Sequence, residues 1–112
     1  MDPNCLFCRI VAGEIPVGRL FEDEELIAFA DIAPQAPVHL LIVPKRHVAH
    51  LFDTGNDDAL LLGRMITTAT GLARQAGLEN VGLEDTGREG GGFRLVMNCL
   101  AGAGQSVFHL HL

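Results

Sequence analysis

The last five residues, Phe108-His109-Leu110-His111-Leu112, alternate without a break between apolar side chains and imidazoles. A β-strand repeats every two residues, so this segment sends Phe108, Leu110 and Leu112 to one face and both histidines to the other. Such a strand must bury its apolar face against a helix, and it then holds His109 and His111 beside a shared site. The longest helical pattern can supply that cover. Leu61, Met65, Thr68, Leu72 and Ala76 share one face, with Leu62, Ile66, Ala69 and Ala73 beside it. Asn56 or a near neighbour caps this helix, Asp57 and Asp58 put negative charge at its positive end, and Gly77 stops it, which predicts a helix from Asp57 to Ala76.

The other segments are shorter. Leu6, Phe7, Ile10 and Val11 recur at helical spacing between Pro3 and Gly13, and predict a short first helix. Gly18-Arg19-Leu20-Phe21 and Leu26-Ile27-Ala28-Phe29-Ala30 read as a hairpin around Glu22-Asp23-Glu24-Glu25, an acidic turn without glycine. After Pro34 and Pro37, His39-Leu40-Leu41-Ile42-Val43 is apolar enough for a central strand, and Pro44 ends it. A glycine-rich charged loop, Gly82 to Gly92, precedes two last strands, Phe93 to Asn98 and Ser106 to Leu112. Helices flanking an antiparallel sheet make an α+β domain.

Length and composition set the outer bounds. The chain has 112 residues, room for one small domain with a radius of gyration of about 13 Å. Its 14 acidic and 8 basic side chains give a net charge of −6, which argues against a basic face for duplex nucleic acid. No apolar run approaches the ~20 residues of a membrane span, and Met1-Asp2-Pro3-Asn4 lacks the features of an export signal. The expected compartment is the cytoplasm.

Cys5-x-x-Cys8 in such a chain points to metal or redox chemistry and not to a disulfide framework. The two thiols stand one helical turn apart, so both can face one point. A redox pair ranks below a metal site because no thioredoxin-like βαβ pattern surrounds the motif. Two reduced, partly buried thiols are the plainest reading, and Cys99 has no evident partner. Gly87-Arg88-Glu89-Gly90-Gly91-Gly92 lacks the lysine and the Ser/Thr of a phosphate loop, and a strand follows it instead of a helix, so it reads as a flexible hairpin loop. Pro44-Lys45-Arg46-His47 is too short a basic cluster to imply nucleic-acid binding.

An isolated His-x-His is most simply a half-exposed strand whose histidines face water. The preceding residues change that reading. Gly104-Gln105-Ser106-Val107-Phe108-His109-Leu110-His111 resembles the signature of the histidine-triad (HIT) family. The segments Ala28-Phe29-Ala30-Asp31-Ile32-Ala33-Pro34-Gln35-Ala36-Pro37 and Leu41-Ile42-Val43-Pro44-Lys45-Arg46-His47 look like its Hint-like branch of nucleotide-binding phosphoramidases. The opening Phe7-Cys8-Arg9-Ile10-Val11 with Glu14-Ile15-Pro16 agrees. The resemblance runs through nearly the whole chain in the family's order.

The resemblance implies the HIT fold, a five-stranded antiparallel sheet with one long and one short helix, as a single domain over residues 1–112. The family motif continues with a third alternating histidine, and the expected domain ends one position before it. The implied activity is that of a purine nucleoside phosphoramidase or nucleotidyl hydrolase. His111 would be the nucleophile, the main-chain carbonyl of His109 would orient it, and His39 would sit close behind. Asn98, Gln105 and Ser106 would contact the phosphate, Asp31 the ribose hydroxyls, and Phe7, Ile10, Phe29 and Ile32 would form the slot for the base. Cys5, Cys8, His47 and His109 would hold a structural zinc ion, with His50 the less favoured substitute for His47. The expected partners are a purine nucleoside monophosphate or its phosphoramidate and a second copy of the chain. Two other readings stand beside the enzyme: a non-catalytic nucleotide-binding module acting through a protein partner, and a domain whose purpose is the zinc site alone.

Overall fold

In the computed structural model, which describes residues 3–79 and 91–112, β-strands β1 (Arg19–Glu22), β2 (Leu26–Ala30) and β3 (Leu40–Pro44) form an antiparallel sheet in the order β1-β2-β3. The glycine-free turn between β1 and β2 closes because Asp23 takes the part of a backbone turn. Its Oδ1 accepts the main-chain N–H groups of Glu25 and Leu26, each at 2.8 Å. β2 is buried on both faces, which explains why it reads as a continuous apolar run and not as an alternation.

Helices cover the two faces. Helix α1 (Leu6–Val11) lays Phe7, Cys8 and Ile10 against Ile27, Phe29 and Val43. Helix α2 (Ala59–Gln75) lays Met65 and Leu72 against Leu26, Ala28, Ile42 and Leu110. The period-two pattern of each strand thus divides its side chains between two clusters. Ile27 and Phe29 face one way, and Leu26 and Ala28 the other. Fully burying a side chain such as Leu26, Ile27, Met65 or Leu110 contributes about 1.5–3 kcal/mol.

The C-terminal segment joins the free edge of β3. Ile42 and Leu112 exchange two backbone hydrogen bonds at 2.9 and 3.0 Å, and the Leu110 N–H donates to the Val48 carbonyl at 2.6 Å. Leu110 and Leu112 turn toward α2, while His109 and His111 turn toward α1, where both rings stand edge-on to Phe7. The expected face division therefore holds for four of the five residues. Phe108 departs from it. It is 46% exposed, and it belongs to neither of the two core clusters.

Other boundaries also differ from expectation. Three of the five expected strands are regular among the described residues. Residues 93–98 run without the bonds of a regular ladder, and 106–112 contributes the exchanged pair with Ile42 and the Leu110–Val48 bond. The short helix begins at Leu6 instead of Pro3, because the Cys5 sulfur accepts the Cys8 N–H at 3.3 Å and caps it. Residues Asn56–Asp58 form a 3-10 turn, which delays the start of α2 to Ala59. Residues 82–90 of the glycine-rich loop, with positions 87–90 of the rejected phosphate-loop candidate, lie outside the described residues, as do Met1 and Asp2.

Candidate active site and metal centre

Four ligand-type side chains meet where α1, the end of β3 and the C-terminal segment converge. The Cys5 sulfur lies 3.3 Å from His109 Nδ1, and the Cys8 sulfur lies 3.2 Å from His47 Nδ1 and 3.5 Å from His109 Nδ1. The two Nδ1 atoms are 3.2 Å apart, and all four donors fall within 4.8 Å of one another. A tetrahedral zinc with Zn–N near ~2.0 Å and Zn–S near ~2.3 Å requires nitrogens about 3.3 Å apart and sulfur–nitrogen separations of about 3.5 Å. The observed spacings match that geometry.

The chemistry of the donors fits as well. His109 is fully buried, and its Nε2–H donates to the Pro44 carbonyl at 2.7 Å, which leaves the Nδ1 lone pair facing the thiols. A metal-bound histidine is ordinarily held by such a bond from its second nitrogen. Burial lowers the His109 pKa below the usual histidine value despite the opposing Pro44 carbonyl, so the ring is kept neutral. Burial also raises the Cys5 thiol above its ordinary value. A divalent cation would reverse that preference by stabilising the thiolate. The expected set Cys5, Cys8, His47 and His109 therefore suits zinc. His50 stands apart, with its Nε2 3.8 Å from Asp53.

His109 also reaches the second histidine through its backbone. The His111 Nδ1–H donates to the His109 carbonyl at 2.8 Å, so the neutral ring presents an unprotonated Nε2. His111 lines a cavity of about 670 Å³ together with Asp31, His39, Asn98, Gly104 and Ser106. On its other side the cavity runs down to Leu72 and Ala73 of α2 and to Phe93 and Leu95. Gly104 sits at φ +99°, a left-handed conformation, and a Cβ there would stand 3.4 Å from the Asn98 side-chain nitrogen. That contact is ordinary, so it is the left-handed backbone and not lack of space that favours glycine at this point.

The expected ligand contacts are distributed unevenly. Asp31, Asn98 and Ser106 line the same cavity as His111. Gln105 does not line the cavity. Its Nε2 donates to the carbonyls of Ala49 (2.7 Å) and Val107 (3.0 Å), and its Oε1 accepts the Leu100 N–H at 2.8 Å. That amide has no N–H left for a phosphate. It locks the turn ahead of the histidine strand, where Leu100 has φ +73°. Phe7, Ile10 and Phe29 are brought together, but as a closed core under the sheet, and Ile32 is 92% exposed beside Asp31. None of the four lines the cavity. His39 turns to the loop ahead of β3, with its Nε2 3.4 Å from Asp31 Oδ2. Sequence reasoning missed the Pro44 carbonyl. A main-chain acceptor leaves no signature in residue identity.

Fold and site together define a small α+β domain that aims two alternating imidazoles of its C-terminal segment inward from the edge of the sheet. The chain belongs to the HIT family: the HIT domain model matches residues 12–112. It is 39% identical over 109 residues to Protein HitA of Neisseria gonorrhoeae, covering 97% of this chain and 92% of that protein. Among solved structures it is similar to a HIT family hydrolase from Legionella pneumophila, with 46% identity and a TM-score of 0.81 over 96% of this chain and 88% of that one. A histidine triad protein from Clostridium difficile shares 34% identity with a TM-score of 0.84, over 99% and 88% of the respective chains. Among the described residues, no helix is long and apolar enough to cross a membrane.

Proposed function

We propose that the protein is a nucleotidyl hydrolase that acts on purine nucleoside 5′-phosphoramidates or related phosphoanhydrides through a covalent intermediate on His111. The observation that carries this reading is the 2.8 Å bond from His111 Nδ1–H to the His109 carbonyl, which leaves Nε2 with a free lone pair beside the cavity. In the first step Nε2 attacks the α-phosphorus. A nitrogen–phosphorus bond to the enzyme forms, and the bond to the leaving amine or phosphate breaks as that group takes up a proton. Water then attacks the same phosphorus, releases the nucleoside monophosphate and returns the imidazole. Dividing the reaction this way replaces one high barrier with two lower ones.

The other residues have binding roles in this scheme. Asn98 and Ser106 supply donors to the phosphate oxygens, and the Asp31 carboxylate accepts hydrogen bonds from the ribose hydroxyls. The exposed side chain of Ile32 next to Asp31 is surface that a stacked base would cover. Cys5, Cys8, His47 and His109 would hold zinc as a staple between α1 and the sheet, which a domain of this size can use. The names of the solved neighbours as hydrolases support the class of reaction.

The test is His111→Ala. With a purine nucleoside phosphoramidate as substrate, release of the monophosphate should fall by about 10³-fold or more, while nucleoside monophosphate still binds and the thermal midpoint stays close to that of the parent. Turnover retained in His111→Ala would refute the nucleophile. Unchanged nucleotide binding without any turnover in the parent protein would favour the non-catalytic module.

A further inference from the structure

The family resemblance places His39 behind the nucleophile, yet both of its ring nitrogens are turned to the loop that carries Asp31. Nδ1 accepts the Gln35 N–H at 2.9 Å, so the neutral ring bears its proton on Nε2, the atom 3.4 Å from Asp31 Oδ2. A small shift would tighten that approach into a hydrogen bond. Asp31 Oδ1 accepts the Ala33 N–H at 2.9 Å, and the Asp31 N–H donates to the His39 carbonyl at 3.0 Å. One carboxylate oxygen is thus held by a backbone hydrogen bond, while the other faces His39 Nε2 at 3.4 Å without a hydrogen bond, in the cavity that also holds His111. Each oxygen keeps a further lone pair for a hydroxyl donor.

We infer that His39 is a positioning residue for sugar recognition: it aims the Asp31 carboxylate at the ribose hydroxyls and so sets the preference for ribonucleotides over 2′-deoxyribonucleotides. The inference rests on reading the site as a nucleotide pocket and names what selects the sugar there.

Two substitutions separate the two ring nitrogens. In His39→Asn the side-chain oxygen stands near the Nδ1 position and still accepts from Gln35, but nothing reaches Asp31. In His39→Gln the longer amide places an N–H near the Nε2 position and gives up the Gln35 contact. Dissociation constants for adenosine 5′-monophosphate and its 2′-deoxy analogue would be measured by calorimetry for the parent and both variants, with kcat and KM on the matching phosphoramidates. Parent and His39→Gln should both prefer the ribonucleotide. His39→Asn should lose about tenfold of that preference, with KM for the ribo substrate rising more than kcat falls. A purely structural role for the ring would affect both variants alike.

The inference is overturned if His39→Asn keeps the preference while Asp31→Asn loses it, or if His39→Asn loses kcat with the preference intact. If the parent binds neither nucleotide, the underlying pocket reading fails. Thermal midpoints of all variants establish that each is folded.

Discussion

Three atoms of His109 face three different sets of neighbours. Nδ1 points at two thiols and His47, Nε2–H holds the end of β3 through Pro44, and the carbonyl oxygen orients His111. The candidate metal site and the proposed nucleophile are therefore joined through a single fully buried residue. Asp23 has a comparable double role on the far side of the sheet. It caps the β1–β2 turn and also meets the guanidinium of Arg64 from α2. Burial pushes its pKa up, but the N–H groups of Glu25 and Leu26 and the Arg64 charge outweigh that and hold it below the usual aspartate value. A lowered folded-state pKa contributes stability that is present above the unfolded value of about 3.9 and is lost as pH falls through the folded value. Asp23→Ala should therefore cost about 1–2 kcal/mol at pH 7, from lost turn bonds and a lost partner. Urea denaturation at a series of pH values should show the gap between variant and parent narrowing below about pH 4. A gap of constant size from pH 7 to pH 2 would contradict the assignment.

At the scale of elements, local patterns were legible and long-range ones were not. The positions of α1, α2, β1, β2 and β3 follow from apolar periodicity, because each is decided by residues within one segment. Their ends were harder to place. The start of α1 is fixed by a sulfur cap on Cys5, and that of α2 by the 3-10 turn before it. The alternation of Leu110 and Leu112 with His109 and His111 correctly divided the two faces, whereas Phe108 stays largely exposed outside both core clusters. Cys5 and His109 lie 104 positions apart, and no periodicity brings them together. Family resemblance did so, and the spacings of the four donors are those a tetrahedral ion would need. Gln105 shows the converse: its residue type suits phosphate binding, but its partners are all main-chain groups. Because α1 is only six residues long, the metal should be its principal tie to His47 and His109. One zinc per chain should be found by elemental analysis, and removal by a chelator should lower the thermal midpoint by about 10 °C. An unchanged midpoint after stripping would show that the ion does not hold α1.

For the whole molecule, the radius of gyration is 14.6 Å, somewhat above the ~13 Å of an average compact chain of this length. Part of the apolar surface remains uncovered. Leu60 and Ile66 on α2 are 76% and 48% exposed, while Met65 and Leu72 on the same helix are buried against the sheet. We propose that a second copy covers this outer face in a symmetric dimer. Sedimentation equilibrium should then return twice the chain mass, and Ile66→Glu should reduce it to the chain mass with the fold retained. A monomeric parent protein would contradict the dimer. The central claim, that His111 forms a bond to phosphorus, is open to a more direct measurement. The protein would be mixed with a purine nucleoside phosphoramidate, quenched within its first turnovers and analysed by intact-mass and peptide mass spectrometry. The account predicts an added mass equal to one nucleoside monophosphoryl group, located on His111 and absent from His111→Ala. Steady release of monophosphate with no adduct at any time, or an adduct on another residue that persists in His111→Ala, would contradict it.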